Sequence, residues 1–173
     1  NAVCSRDGFL PDSALQQRTL FDDVVKPLTA GDGTTAYFVI DALRYEMGRE
    51  LLSTFEEAAQ SEVQLSWRLA ELPTVTEVGM NVLAPVAKAG KLQPELVGSK
   101  IVGFSAGEYR VNDPDTRRRA MHDRIGGRTC PRIELAEVLR LESRTLQRKI
   151  AGARLVMVHS REIDSSGEAG FGP

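Results

Sequence analysis

Three sets of polar residues in this sequence carry the side chains that metal-dependent phosphoryl chemistry uses, and each set follows an apolar run. The residues are Asp41, the pair Thr74 and Thr76, and the pair Asp164 and Glu168. If the apolar runs are parallel strands, these residues meet at the carboxyl edge of one sheet, where open α/β folds bind ligands. Carboxylates from two strand ends suit a divalent metal that activates a nearby hydroxyl as a nucleophile. With an added imidazole ligand the metal would be Zn²⁺ or Mn²⁺, whereas carboxylates alone favour Mg²⁺ or Mn²⁺.

Each of these residues also has an interpretation without chemistry. Asp41 can cap the following helix, because Asp is a common N-cap residue. Thr74 and Glu77 have the T-x-x-E spacing of a capping box. We therefore interpret Thr74 as the cap and Thr76, in the first helical turn, as the nucleophile. Asp164 can be an ordinary turn residue in the stretch Ile-Asp-Ser-Ser-Gly.

The basic residues and histidines are interpreted as structural. His159 ends an apolar run and is expected to be buried and hydrogen-bonded, whereas His122 is expected to be solvated. A cluster of arginines in the middle of the chain is interpreted as a solvated helix face, with phosphate or nucleic-acid contact as the alternative. The arginines are Arg117, Arg118, Arg119, Arg124, Arg128 and Arg132.

Length and composition indicate one ordinary domain with a net charge close to zero. The chain has 173 residues, and 22 Lys plus Arg against 24 Asp plus Glu leave a net charge of −2. That charge does not favour nucleic acid or an anionic membrane. Cys4 and Cys130 match no metal-ligand spacing, so we expect free thiols in a reducing compartment. No apolar run reaches the roughly 18 residues of a membrane span, so we expect a cytoplasmic protein with no membrane partner.

The elements that would position the candidate residues alternate as in a parallel sheet covered by helices. Helices are predicted at about 14–25, 43–55, 77–83, 116–124 and 133–150, strands at 36–40, 63–67 and 154–159, and a hairpin at 101–104 and 108–111. We expect an α/β fold with a mostly parallel sheet and helices on both faces. Residues 1–173 would form a single domain, with an α-rich insertion or cap at about 86–150.

Three motifs together resemble the PglZ domain family of bacterial phage-defence systems of the BREX and phage-growth-limitation type. They are Val39-Ile-Asp-Ala-Leu-Arg-Tyr-Glu46, Leu72-Pro-Thr-Val-Thr-Glu-Val-Gly-Met80 and Val158-His-Ser-Arg-Glu-Ile-Asp-Ser-Ser-Gly-Glu168. The resemblance covers about residues 15–173 and implies a core like that of alkaline phosphatase. It also implies Thr76 as nucleophile and Asp41, Asp164 and Glu168 as ligands of Zn²⁺ or Mn²⁺, with Mg²⁺ as the alternative. Arg44, one turn into the next helix, is a weaker candidate for contacting the substrate phosphate.

The chain departs from the wider alkaline-phosphatase superfamily in two places. Glu168 stands where the nucleotide-phosphodiesterase branch has a histidine ligand, and PglZ-type sequences tend to share this glutamate. The Asp-His-Gly segment and the last ligand histidine of the superfamily lie beyond the matched motifs. We therefore expect a truncated domain that holds about half of a two-metal site and is an incomplete enzyme by itself.

Two functions follow from the resemblance. The first is a metal-dependent phosphatase or phosphodiesterase, whose partners are other phage-defence proteins and whose substrate is a phosphoester such as a nucleotide or nucleic acid. The second is a non-catalytic domain of the same fold that docks defence partners or nucleic acid. A haloacid-dehalogenase-like phosphoacceptor is excluded because Leu43 stands where its second aspartate is needed. A receiver domain is excluded because too few residues separate Asp23 from Asp41 for a crossover unit.

Overall fold

Two β-sheets with helices around them form the fold in the computed structural model, which describes residues 12–58, 62–88 and 90–170. The strands are β1 (Thr35–Ile40), β2 (Ala87–Lys88), β3 (Lys91–Val97), β4 (Lys100–Ala106), β5 (Tyr109–Val111), β6 (Arg132–Glu134) and β7 (Leu155–Ser160). The helices are α1 (Lys26–Leu28), α2 (Tyr45–Ala58), α3 (Thr76–Gly79), α4 (Pro114–Arg124), α5 (Leu135–Arg140), α6 (Ser143–Ile150) and α7 (Glu162–Ala169). Among the helices so described, none is long and apolar enough to cross a membrane.

The parallel sheet has the strand order β1-β7-β6, with β7 between the other two. Every residue of β7 is buried, as expected of a continuous apolar run in a parallel sheet that is covered on both faces. In the register, Val39 lies opposite His159 and Ile40 lies opposite Ser160. The three strands therefore end at the same edge, and the strands predicted around residues 36–40 and 154–159 are confirmed.

Side chains that alternate along β7 reach two separate apolar cores. Leu155 and Met157 belong to the larger core, together with Met121 of α4. Val156 and Val158 form the smaller core, against which Leu146 of α6 packs. Helices therefore pack on both faces of the parallel sheet.

The prediction of one continuous helix over residues 14–25 is wrong. Short 3₁₀ helices span Ser13–Leu15 and Gln17–Thr19, and a π-helix spans Phe21–Val25. Gln16 between them is extended and forms an isolated parallel bridge with Leu69. The Leu69 nitrogen donates to the Leu15 oxygen at 2.8 Å. This long-range pairing breaks the helix, because it takes up backbone groups that a helix would have used.

The strand predicted at residues 63–67 is also wrong, since residues 62–68 contain no strand. The following helix is shorter than predicted and ends at Gly79. Its N-cap is Val75, without a side-chain cap hydrogen bond, so the predicted capping box of Thr74 and Glu77 is wrong. Glu77 instead lies 3.5 Å from Lys100 of β4. A tertiary contact has replaced the local one.

The segment 86–150 is less helical than predicted. Its first part forms the antiparallel sheet β2-β3-β4-β5, so only one of the two sheets is parallel. The predicted hairpin is confirmed as β4 and β5, with Gly107 at a φ of 63° in the turn. The predicted helix 133–150 divides into β6, α5 and α6, because Ile133 pairs with Val158 of the parallel sheet.

Cys130 is a buried free thiol, as predicted. Cys4 lies outside the described residues. The prediction of two free thiols is therefore confirmed for one of them.

Leu155→Ala tests the central place of β7 in the fold. Leu155 is fully buried, whereas Leu139 is 77% exposed. We expect Leu155→Ala to lower the free energy of unfolding by about 2–5 kcal/mol, through lost burial and the cavity it leaves. Leu139→Ala, the same truncation at the surface, should change it by no more than about 0.5 kcal/mol. Urea unfolding measures both, and equal costs would contradict the assignment of the core.

Candidate active site at the carboxyl edge of the parallel sheet

Asp41 is fixed at the end of β1 by the neighbouring strand. Its backbone nitrogen donates to the Ser160 oxygen at 2.9 Å, and the residue is only 6% exposed. Its carboxylate accepts a hydrogen bond from the Ala42 nitrogen at 3.0 Å. Helix α2 begins four residues later, so the alternative role of Asp41 as its N-cap is wrong. Asp41 is therefore a buried carboxylate at the sheet edge without a capping role.

The surroundings of Asp41 disfavour its negative charge. Burial raises the pKa of this carboxyl above its ordinary value, and the nearby Asp164 raises it further. The Ala42 N–H, His159 and Arg117 act in the opposite direction, but the net direction is upward. A carboxylate of this kind is typical of sites that bind a cation or perform acid-base chemistry.

Asp164 and Glu168 lie on α7, which follows β7 after one residue. They are four positions apart and therefore share one face of the helix. Asp164 is half-buried and Glu168 is exposed. The interpretation of Asp164 as a turn residue is wrong, because the stretch Ile-Asp-Ser-Ser-Gly is helical. The pairing of β1 with β7 thus brings Asp41 and Asp164 to one edge, as the sequence predicted.

The remaining predicted residues are on the surface. Thr76 is the first residue of α3 and is exposed. Arg44 is exposed between β1 and α2. No hydrogen bond joins either side chain to Asp41 within the described part of the chain. The structure therefore leaves the roles predicted for both residues untested.

His159 is buried beside Asp41 and has one ring nitrogen without a partner. Its Nδ1 lies 3.3 Å from a carboxylate oxygen of Glu134 on β6, whereas Nε2 is buried and meets no hydrogen-bonding group of the described residues. Burial lowers the pKa of this imidazole below 6.5, although Glu134 partly opposes the effect. The prediction of a buried histidine is confirmed, but its hydrogen bonding is incomplete. A ring oriented by a carboxylate through one nitrogen is typical of metal-binding histidines.

Arg117 is the main residue that the sequence interpretation missed. It was assigned to a solvated helix face, but it is only 5% exposed. Its Nη1 donates to the Asn81 side-chain oxygen at 2.9 Å, and its Nε has no partner among the described residues. Electrostatic coupling links Arg117 to Asp41. The buried guanidinium therefore belongs to the same region as the candidate carboxylates.

The sequence does carry a signal for the burial of Arg117. Asp113 caps α4, since its carboxylate accepts from the Thr116 nitrogen at 2.8 Å in a capping box. With the helix start fixed, Arg117 shares one face with Ala120 and Met121, three and four positions further on. Both are buried, so the apolar face of the helix includes Arg117.

The other arginines of the cluster that make ion pairs do so near the surface. Arg124 lies 2.8 Å from Asp22, and Arg132 lies 3.3 Å from Asp115 and 2.5 Å from Glu134. Their paired, partly exposed state agrees with the predicted solvated face. Arg117 is the exception within the cluster.

Comparison with known proteins assigns the family. Residues 20–171 match the family model of the BREX system PglZ alkaline phosphatase-like domain. The chain belongs to the PglZ family. A curated relative, the alkaline phosphatase-like protein BrxZ of Escherichia coli O9:H4 (strain HS), is 36% identical over 72 residues. That match covers 40% of this chain and 8% of the relative, so the chain is aligned with only a small part of BrxZ.

The PglZ domain has donor groups of the kind that hold a divalent metal, but they are not fully assembled. Across residues 12–58, 62–88 and 90–170, no three His, Cys, Asp or Glu side chains are close enough together to hold a metal ion. The donor groups nevertheless fit a cation. Burial and the nearby Asp164 raise the pKa of Asp41, and the buried Nε2 of His159 has no hydrogen-bonding partner among the described residues. Metal binding at this edge would therefore require the candidate ligands to move closer together.

Ala42→Gly tests backbone strain next to Asp41. Ala42 has a φ of 62°, a left-handed conformation that costs a residue with a Cβ about 1 kcal/mol and glycine much less. We expect Ala42→Gly to raise the free energy of unfolding by up to about 1 kcal/mol. Ala36→Gly, at the second residue of β1, should lower it by about 0.5–1 kcal/mol, because glycine weakens a strand. A loss of stability in both variants would contradict the assigned strain.

The pH dependence of stability tests the burial of His159. Because the folded pKa is lowered below 6.5, the unfolded chain binds a proton before the folded chain does as pH falls. Stability should therefore decrease as pH falls from 6.5 through the folded pKa. His159→Gln should flatten that part of the profile relative to the unmodified chain. Denaturant unfolding at several pH values measures the slopes, and an unchanged slope in His159→Gln would contradict the prediction.

Proposed function

We propose that this PglZ domain contributes to phosphoester hydrolysis at the carboxyl edge of its parallel sheet. In this proposal Asp41 and Asp164 hold a divalent metal and Thr76 is the nucleophile. The observation that carries the proposal is the buried carboxylate of Asp41, placed beside Asp164 by the pairing of β1 with β7. The family assignment supports the same chemistry, because its description is alkaline phosphatase-like.

The charges at this edge favour a cation. Two carboxylates near each other in a poorly solvated place repel, and the raised pKa of Asp41 reflects that repulsion together with burial. Glu168, one turn after Asp164 on the same helix face, is the third carboxylate of the proposed ligand set. The unpartnered nitrogen of His159 favours Zn²⁺ or Mn²⁺ over Mg²⁺. When bound, the metal would neutralise charge on the phosphoryl oxygens and lower the pKa of the attacking hydroxyl.

Hydrogen bonds link the helix of the proposed nucleophile to Arg117. Thr76 begins α3, and the Asn81 side chain donates to the Glu77 oxygen of the same helix at 2.6 Å. Asn81 also accepts from Arg117, which is coupled electrostatically to Asp41. The helix that carries Thr76 is thereby tied to the region of the carboxylates. Nucleotides or nucleic acid are the proposed substrates, and other phage-defence proteins are the proposed partners.

A second candidate function is a docking domain without catalysis. It is favoured by α2, in which three large apolar residues are exposed to solvent. Tyr45, Leu51 and Phe55 are 45%, 40% and 46% exposed. Exposed apolar residues on one helix are typical of protein interaction surfaces. The absence of an assembled three-ligand group in the described residues is also compatible with this function.

Metal binding and turnover together separate the two functions. Calorimetric titration with Zn²⁺, Mn²⁺ and Mg²⁺ is expected to show a site that Asp41→Asn and Asp164→Asn weaken by at least about 10- to 100-fold. Asp32→Asn, a substitution of an exposed aspartate before β1, is the control and should bind normally.

Hydrolysis of bis(p-nitrophenyl) phosphate by a full-length PglZ protein that contains this domain tests the nucleophile. Thr76→Ala should lower kcat by about 1000-fold or more, whereas Thr74→Ala, two residues earlier, should retain most of the activity. Turnover that survives Thr76→Ala would reject the assigned nucleophile. If the unmodified full-length protein shows no metal binding and no turnover, the docking function is favoured.

A further inference from the structure

The buried charge of Arg117 has no counter-ion that the structure identifies. A guanidinium stays protonated at every pH a protein experiences, and buried charges are normally paired. Arg117 is 5% exposed, yet its hydrogen-bonding partner is the neutral amide of Asn81. No carboxylate of the described ranges lies within ion-pair distance of it. Asp113 and Asp41 act on it only through space.

A second arginine in the same chain shows what pairing looks like. Arg18 has a side chain that is 10% exposed, and it meets the carboxylate of Glu71 with two hydrogen bonds. Its Nε and Nη2 each lie 2.6 Å from one oxygen of Glu71. That arrangement is the two-pronged pairing that guanidinium groups form with planar or tetrahedral oxyanions. The same edge of Arg117 meets no acceptor among the described residues, and its Nε is fully enclosed.

Arg117 interacts with both parts of the proposed site. Through Asn81 its Nη1 edge is attached to the helix that begins with Thr76. Its charge acts on Asp41 and on His159 at the sheet edge. The capping box of Asp113 and Thr116 fixes the helix start and therefore the direction in which Arg117 enters the core. Because its Nε is buried, side chains around this guanidinium would have to move apart for a group bound at the sheet edge to reach it.

We propose that Arg117 is the residue that holds the phosphoryl group, with its Nε and Nη2 donating to two oxygens of a tetrahedral oxyanion. The inference rests on the proposed function and adds to it the group that binds the substrate's charge. It replaces Arg44, which is exposed, as the main phosphate contact. The bound oxyanion is the missing counter-ion, which explains why a charged side chain is tolerated in this core.

The test uses inorganic phosphate and metal-free protein, so that it does not depend on catalysis. Phosphate is expected to raise Tm of the unmodified chain in a saturable way at constant ionic strength, because it binds the folded state. Arg117→Met should weaken phosphate binding by about tenfold or more. Arg119→Met, on the exposed side of the same helix, should behave like the unmodified chain. Arg117→Lys should bind phosphate with intermediate affinity, because it keeps the charge and loses the two-pronged geometry.

The phosphate-induced shift in Tm separates a binding role from a structural one. Arg117→Met removes a buried unpaired charge but leaves the buried side-chain oxygen of Asn81 without its donor, so a lower Tm without phosphate agrees with both roles and the phosphate shift decides between them. A lower Tm with an undiminished phosphate shift would show a purely structural role and overturn the inference. If Arg117→Met does not fold, an undiminished shift in Arg117→Lys overturns it equally. Absence of any saturable shift in the unmodified chain also overturns it.

The outcomes for the two proposals are distinguishable. If metal binding and turnover occur but phosphate protection does not depend on Arg117, the proposed function stands and this inference fails. If phosphate protection depends on Arg117 but neither metal binding nor turnover is found, the oxyanion site stands and the hydrolytic function fails.

Discussion

The burial of one carboxylate at the end of β1 is the constraint on which the rest of this structure depends. Asp41 is held there because its backbone continues the pairing of β1 with β7 and its carboxylate bonds to the next backbone nitrogen. Ala42 takes a left-handed conformation immediately afterwards. Burial, like-charge repulsion and backbone strain therefore coincide at two adjacent residues. Such local conflicts with stability are typical of functional sites, where they persist because the surrounding fold is strong enough to hold them.

Different strands and helices position the residues around Asp41. The buried strand β7 brings α7 and Asp164 to the same edge, while β6 supplies Glu134 to orient His159. Helix α4 comes from the segment between the antiparallel sheet and β6, and it places Arg117 in the core next to these groups. The antiparallel sheet supports α3 through Lys100 and Glu77. Among the described residues, the candidate carboxylates lie at the edge of the parallel sheet, and the antiparallel sheet supports the helix that carries Thr76.

Sequence reasoning succeeded where the signal was local and failed where a distant contact decided the structure. The strands β1 and β7 were predictable because each is an uninterrupted apolar run, and their parallel pairing placed Asp41 near Asp164. The helix over residues 14–25 failed because Gln16 pairs with Leu69, more than fifty residues away along the chain. The role of Thr74 as a cap failed because Glu77 contacts Lys100. Neither contact leaves a trace in the local pattern.

The misassignment of Arg117 has a different cause. The three consecutive arginines at 117–119 suggest a solvent-exposed helix face when residues are judged by polarity alone. Once the capping box fixes the start of α4, the spacing to Ala120 and Met121 directs Arg117 inward and leaves Arg119 exposed. The helical phase was therefore available from the sequence, but the absence of a carboxylate partner was not, because it depends on how distant segments of the chain pack around Arg117. That missing partner is what makes Arg117 informative about function.

The most direct test of a metal site between β1 and β7 is anomalous X-ray diffraction from crystals of the chain grown with Zn²⁺. The account predicts an anomalous peak at the carboxyl edge of the parallel sheet, about 2.0–2.2 Å from carboxylate oxygens of Asp41 and Asp164. At saturating zinc, a map with no peak at that edge, or with peaks only elsewhere on the surface, would contradict it.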